Sequence, residues 1–149
     1  MVSSTSAGTT IGISAAAPAT LDKTGYAALT YTTIAGIESI PAFGAQVAVN
    51  TFQPLNGPQD KHKGPANYGS LQLPYAIDKA DAGQTLLKTA AGPTNNALYT
   101  FIVTFPNGDK FYFRGRVFGA PMTVGSATNV LMATAVVEIT TVVVEDLAP

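Results

Sequence analysis

The chain has 149 residues, 46% of them apolar and only 11% charged, with eight Lys/Arg against nine Asp/Glu. That length fits one domain with a sizeable core, and so hydrophobic a composition excludes a disordered chain. A formal charge of −1 offers no basic footprint for duplex DNA, and zero cysteines exclude thiolate nucleophiles, disulfides and sulfur-ligated zinc.

The N-terminus has neither the basic n-region nor the apolar h-region of a signal peptide, and no apolar run approaches the 18 or so residues that span a bilayer. The expectation is a soluble, non-secreted protein without membrane insertion. Charge this sparse on a small domain favours association.

Residues 1–20, MVSSTSAGTTIGISAAAPAT, are small, uncharged and without helical or strand period up to Pro18. They read as a disordered tail or as an extended N-terminal arm that orders against a neighbour. Ile11 and Ile13 alternate with Gly12 and Ser14, a pattern suited to strand addition. The remainder, 21–149, reads as one domain. YAALTYTTIA at 26–35 is aromatic and β-branched and predicts a strand that Gly36 ends. AQVAVNTFQ at 45–53 alternates and predicts a second. Residues 54–69, PLNGPQDKHKGPANYG, are dense in Pro, Gly and Asn and predict a long loop of the kind that carries function.

SLQLPYAI at 70–77 predicts a third strand, with Pro74 favouring a sheet edge or a bulge. Residues 78–93 predict a helix of about three turns: Asp78 as N-cap, an acidic first turn, Leu86, Leu87 and Ala90 as the apolar stripe, and Gly92-Pro93 as the stop. Residues 98–119 predict a β-hairpin. Asn107-Gly108 invites a two-residue turn, but that register mixes polar and apolar faces. A three-residue loop of Pro106, Asn107 and Gly108 instead pairs Phe101 with Phe113 and Val103 with Phe111. One face then carries Phe101, Val103, Phe105, Phe111, Phe113 and Val117 and becomes the core face; the other, with Ile102, Thr104, Lys110, Tyr112, Arg114 and Arg116, is left exposed. TNVLMATAVVEITTVVVE at 128–145 exceeds an ordinary strand, so it either bends or pairs outside the domain. Its odd positions, Leu131, Ala133, Ala135, Val137 and Ile139, form the more apolar face.

No constellation for catalysis emerges. His62, the single histidine, lies between two lysines in the expected loop, so no Ser-His-Asp arrangement is supported. Asp78 and Asp81 belong to a helix start, Glu145 and Asp146 to a tail, and the six Asp and three Glu are too dispersed for a metal site. GPANYG precedes a strand, against the context of a phosphate loop. Aromatics beside Arg114 and Arg116 suit stacking on single-stranded bases or, more simply, the exposed side of a hairpin. The reading is a protein that is not an enzyme and holds no cofactor or metal.

The order of signals resembles one family. IAGIESIPAFG at 34–44, AQVAVNTFQPLNG at 45–57, NYGSLQLPYAIDKAD at 67–81, FIVTFPNG at 101–108 and FRGRV at 113–117 follow the order seen in the major tail tube proteins of long, non-contractile-tailed bacteriophages. The likeness runs from about residue 24 to 140; no extra C-terminal domain of the kind some members carry is evident. It implies a mostly β chain, a β-sandwich or barrel with one flanking helix, whose six copies form a ring. Rings would stack into the virion tail tube around a tape-measure protein, between tail-tip and tail-terminator proteins, after assembly in the host cytoplasm. DNA would transit the lumen without sequence-specific binding, and six copies sum to only about −6 per ring.

On that resemblance, the arm and the 54–68 loop are expected to contact the adjacent ring through Ile11, Ile13, Leu55, Asp60, Lys61, Lys63 and Tyr68. The even face of the last strand, Thr134, Val136, Glu138 and Thr140, is expected to form a lumen or intersubunit surface. Two alternatives stand beside it: a type VI secretion-like tube protein, and a capsid-decorating or carbohydrate-binding β-sandwich using Asn67 and Tyr68.

Overall fold

A computed structural model describes residues 3–149; Met1 and Val2 of the expected arm lie outside the described residues. In chain order the elements are β1 (Thr10–Ser14), α1 (Lys23–Ala27), β2 (Thr32–Thr33), β3 (Gln46–Phe52), β4 (Asp60–Asn67), β5 (Ser70–Ala76), α2 (Ala82–Ala90), β6 (Tyr99–Thr104), β7 (Lys110–Gly119), β8 (Met122–Thr123), β9 (Met132–Ile139) and β10 (Val144–Asp146).

The β6–β7 turn fixes the register of the central sheet. Gly108 N–H donates to Phe105 O at 3.0 Å and Phe105 N–H to Asp109 O at 2.8 Å, closing the three-residue loop. Gly108 has φ 97°, a conformation that glycine adopts without a Cβ clash. Phe101 therefore faces Phe113 and Val103 faces Phe111, as the parity argument requires. An antiparallel sheet grows from this hairpin in the order β2-β1-β6-β7-β9-β5, with β10 added to the start of β7 and β8 to β9. The sheets do not close into a barrel, and the architecture is a mostly β, sandwich-type fold.

The core lies on one face of the sheet. Ile11, Ile13, Phe101, Val103, Phe113, Leu71, Leu73, Ala135 and Val137 are buried there under Leu87 and Ala90 of α2 and Ile34. The odd face of β9 is buried as expected from Ala133 to Ile139, but Leu131 precedes the strand and is half exposed; β5 with Pro74 sits at the sheet's end. The long 128–145 run bends: Arg114 N–H donates to Thr141 Oγ1 at 2.9 Å, and β10 then returns to β7 within the same chain.

Several expectations are corrected. Thr10–Ser14 is not an arm. It is paired on both sides, with β6 and β2, because Ile11 and Ile13 bury completely opposite Val103 and Phe101. The strand expected at 26–35 shrinks to Thr32–Thr33. Before it, the Asp22 carboxylate accepts from Gly25 N–H at 2.8 Å and caps α1, a second and unexpected helix. The α1 residue Tyr26 stacks on Tyr112 with centroids 5.3 Å apart and planes 10° apart, covering the second face of the sheet. Tyr112 is thus buried, although it was read as part of the exposed face.

The expected 54–69 loop is the turn and returning strand of a hairpin, β3–β4. The N-cap of α2 is Asp81, whose carboxylate accepts from Gln84 N–H at 2.9 Å; Asp78 instead caps Ala80 N–H in the preceding turn.

Gln84 was not singled out by sequence. It is buried, with Nε2 donating to Ala35 O (2.7 Å) and Ala76 O (2.9 Å) and Oε1 accepting from Asp78 N–H (2.8 Å). One side chain thereby ties α2 to two loops. Gln84→Ala strands three backbone groups and is expected to lower unfolding free energy by about 3 kcal/mol, read from urea denaturation midpoints.

Candidate assembly surfaces

The β3–β4 hairpin leaves the body between Gly44 and Gly69, whose φ values of 125° and 97° favour glycine. It forms a separate two-stranded sheet. Apart from half-buried Val47 and Gly64, both strands are exposed along their whole length. Register places Thr51 opposite Lys61 and Val49 opposite Lys63, giving one basic face; Asn50 and Phe52 lie opposite His62 and Asp60 on the other. His62 Nε2 is 3.1 Å from Asp60 Oδ2. Lys61 and Lys63 have no ion-pair partner among the described residues. At the tip Leu55 is fully exposed, and Val49 and Phe52 are about two-thirds exposed. In a lone monomer so much apolar surface on an unsupported hairpin gains nothing from burial.

Five expected stacking residues, Leu55, Asp60, Lys61, Lys63 and Tyr68, thus belong to this hairpin or its root. Tyr68 is half-buried at the base and packs against the core. Ile11 and Ile13 are removed from that set, since their side chains are spent on the core of their own subunit.

At the hairpin's root lies an open cleft of about 820 Å³. Ile40, Phe43, Phe105, Phe111 and Val142 supply its apolar walls, and the exposed carboxylates of Glu38 and Glu145 also line it. Phe43 packs edge-on against Phe111, centroids 6.1 Å apart at 70°, and Phe105 lies 4.7 Å from Phe111. The two carboxylates have no ion-pair partner among the described residues.

Thr134, Val136 and Glu138 are half-buried on the second face of β9, and Thr140 is exposed where the strand bends. Gln72 and Arg116 are the register neighbours of Val136 and Glu138. A further surface escaped the sequence reading: Phe118, Met122, Val124, Val130 and Leu131 are each at least half exposed around β8. The stretch from Val117 to Val137 carries no charge, so this patch is apolar and unscreened. The cations considered for base stacking are held internally: Arg114 donates to Thr100 Oγ1 and Leu98 O, and Arg116 to Asn96 O.

Among the described residues no group of three or more His, Cys, Asp or Glu side chains converges. No helix there is long and apolar enough to cross a membrane. The Gly25 N–H, helped by the Thr20 hydroxyl, holds the Asp22 carboxyl below its usual range; the other perturbed groups are tyrosines. Burial pushes Tyr31 well up, with Tyr112 and Tyr26 adding to it. Burial also raises Tyr75 and Tyr112, the latter assisted by Asp146, whose Oδ2 accepts from the Tyr112 hydroxyl at 3.3 Å. Above about pH 10 the unfolded chain releases tyrosine protons that the folded chain retains. The unfolded state then binds fewer protons, so unfolding free energy is expected to fall as pH rises beyond 10. Denaturation series at pH 8, 10 and 11 check this, and Tyr31→Phe should flatten the decline.

No protein-family model matches the chain, and no curated protein matches it. Solved structures do. One is a chain in the cryo-EM structure of the anti-feeding prophage (AFP) baseplate, 6-fold symmetrised. It is 13% identical at TM-score 0.65, over 95% of this chain and 94% of that one. Another is the SPP1 tail tube, a hybrid solid-state NMR and cryo-EM structure. It is 11% identical at TM-score 0.62, over 93% of this chain and 76% of that one. At such identities the likeness is one of fold, and it spans nearly the whole chain. The protein has the fold found in the SPP1 tail tube and in the AFP baseplate.

Proposed function

We propose that this chain is a structural subunit of a phage tail that assembles with copies of itself into stacked rings, six to a ring, forming a conduit for DNA. The observation that carries this reading is the exposed β3–β4 hairpin, with Leu55 bare at its tip, on a chain with a tail-tube fold. The 6-fold symmetrised AFP baseplate supports the ring size. Contacts that join two different surfaces of neighbouring copies are heterologous, so they close rings or propagate filaments. The lumen or intersubunit face is assigned to Thr134, Val136, Glu138 and Thr140. A near-neutral subunit suits passage of DNA without retention. A tape-measure protein, tail-tip and tail-terminator proteins complete the structure, which resides in the virion after assembly in the host cytoplasm. Neither catalysis nor a cofactor belongs to this role.

Negative-stain electron microscopy of the concentrated chain, alone and with a tail-tip initiator, tests it. Hollow filaments of uniform width are expected; dispersed monomers under both conditions overturn the reading. The likeness to an AFP baseplate chain supports a second reading, in which the subunit forms a single ring at the tail end. Isolated rings that never stack are its signature.

A further inference from the structure

We propose that the cleft beneath Phe43, Phe105 and Phe111 is the receptor for the β3–β4 hairpin tip of a second copy of this chain. This rests on the reading of the protein as a self-assembling subunit. The two surfaces complement each other in chemistry. The tip offers Leu55, with the unpaired ammonium of Lys61 beside it, and the same face carries the exposed Val49 and the unpaired Lys63 farther down the strands. The cleft offers aromatic and aliphatic walls flanked by the unpaired carboxylates of Glu38 and Glu145. Each of these features is costly or unrewarded in the free monomer, and each finds its counterpart in the other. Opposite charges around an apolar centre steer encounter and fix register, while the buried centre holds the contact.

Geometry selects a second copy as the occupant. Ala42–Ala45 and Tyr68 line the cleft and also flank the hairpin's root. Seven residues of β3 hold the tip roughly 23 Å from that root. A paired hairpin cannot fold back on itself over so short a base, so the tip cannot enter its own cleft. Tip and cleft lie at opposite ends of one hairpin. Inserting each tip into the next cleft therefore repeats one displacement and builds a chain of subunits.

The absence of cysteine makes the test direct. Leu55→Cys and Ala42→Cys each introduce a single thiol at an exposed position, one at the tip and one in the cleft. Mixing the two variants under mild oxidation should give a disulfide-linked heterodimer, enriched at least tenfold over either homodimer. A mixture of Leu55→Cys with Leu147→Cys, exposed but outside the cleft, is the control.

Charge reversal supplies a second readout. Glu38→Lys with Glu145→Lys should cut assembly at least tenfold, and adding Lys61→Glu with Lys63→Glu in the same chain should restore it. Normal assemblies without the tip–cleft cross-link overturn this inference and leave the tube reading intact. Neither assemblies nor cross-link overturns both. Loss on charge reversal without restoration also counts against the pairing, circular dichroism having shown the variants folded.

Discussion

A chain in which Gln46–Asn67 is replaced by a two-glycine bridge is expected to fold and to form no tubes at all. Gln46 and Asn67 are register partners at the hairpin's base, so a tight connection from Ala45 to Tyr68 spans the gap without moving the body. None of the excised side chains belongs to the core cluster, and the hairpin is a sheet of its own. The thermal midpoint should move by no more than a few degrees, in line with the small effect of altering exposed surface. Assembly is where the loss concentrates, since the deletion removes Leu55, Phe52 and both unpaired lysines together. Calorimetry and electron microscopy on the same preparation separate the two readouts. A variant that still makes tubes would reject the hairpin as a contact element.

The opposite outcome is expected for Ile13→Ala. Ile13 is fully buried, paired with Phe101 across β1–β6 and with Thr32 across β1–β2. Removing its side chain beyond Cβ leaves a cavity between the sheet and its cover, at a cost of about 3 kcal/mol. That is a large share of the 5–15 kcal/mol that stabilises a typical domain, and corresponds to roughly 10 °C in midpoint. The monomer itself should lose stability, whether or not tubes form. A residue that served only to stack rings would leave the monomer midpoint unchanged, so a thermal melt of dilute protein distinguishes the two roles.

This pair of variants marks where the sequence was legible. The β6–β7 hairpin could be read to the residue because turn chemistry and side-chain parity agreed on a single register. The buried face of β9 was legible for the same reason, as alternation of period two leaves one apolar side. The Ile11-Gly12-Ile13 pattern is different: it reads identically for a strand added to a neighbour and for one inserted between β2 and β6. Only the partner decides, and β6 lies some 90 residues away in sequence.

The α1 helix was hidden because Tyr26 and Tyr31 raise β-propensity locally, while the stacking on Tyr112 that overrides it is non-local. Similarly, Asp60–Asn67 contains Gly64 and Pro65 and reads as a loop; it is held as a strand by its ladder to β3. The cleft had no local signal of any kind. Its walls come from segments near residues 40, 105 and 143, which only the completed sheet brings together.

The position of β1 also has a kinetic consequence. Thr10 pairs with Thr104, so closing that contact costs roughly 4 kcal/mol of loop entropy before any ladder bond repays it. The neighbouring β6–β7 turn, by contrast, spans only a handful of residues and closes fast. The order of events follows: the β6–β7 hairpin forms early, and β1 docks late against a sheet already in place. Until it docks, the YTFIVT edge of β6 is an unpaired, aromatic, uncharged template, the kind of edge that recruits a strand from another chain. Refolding yield should therefore fall steeply with protein concentration, and strand-swapped dimers joined through β1 are the expected by-product.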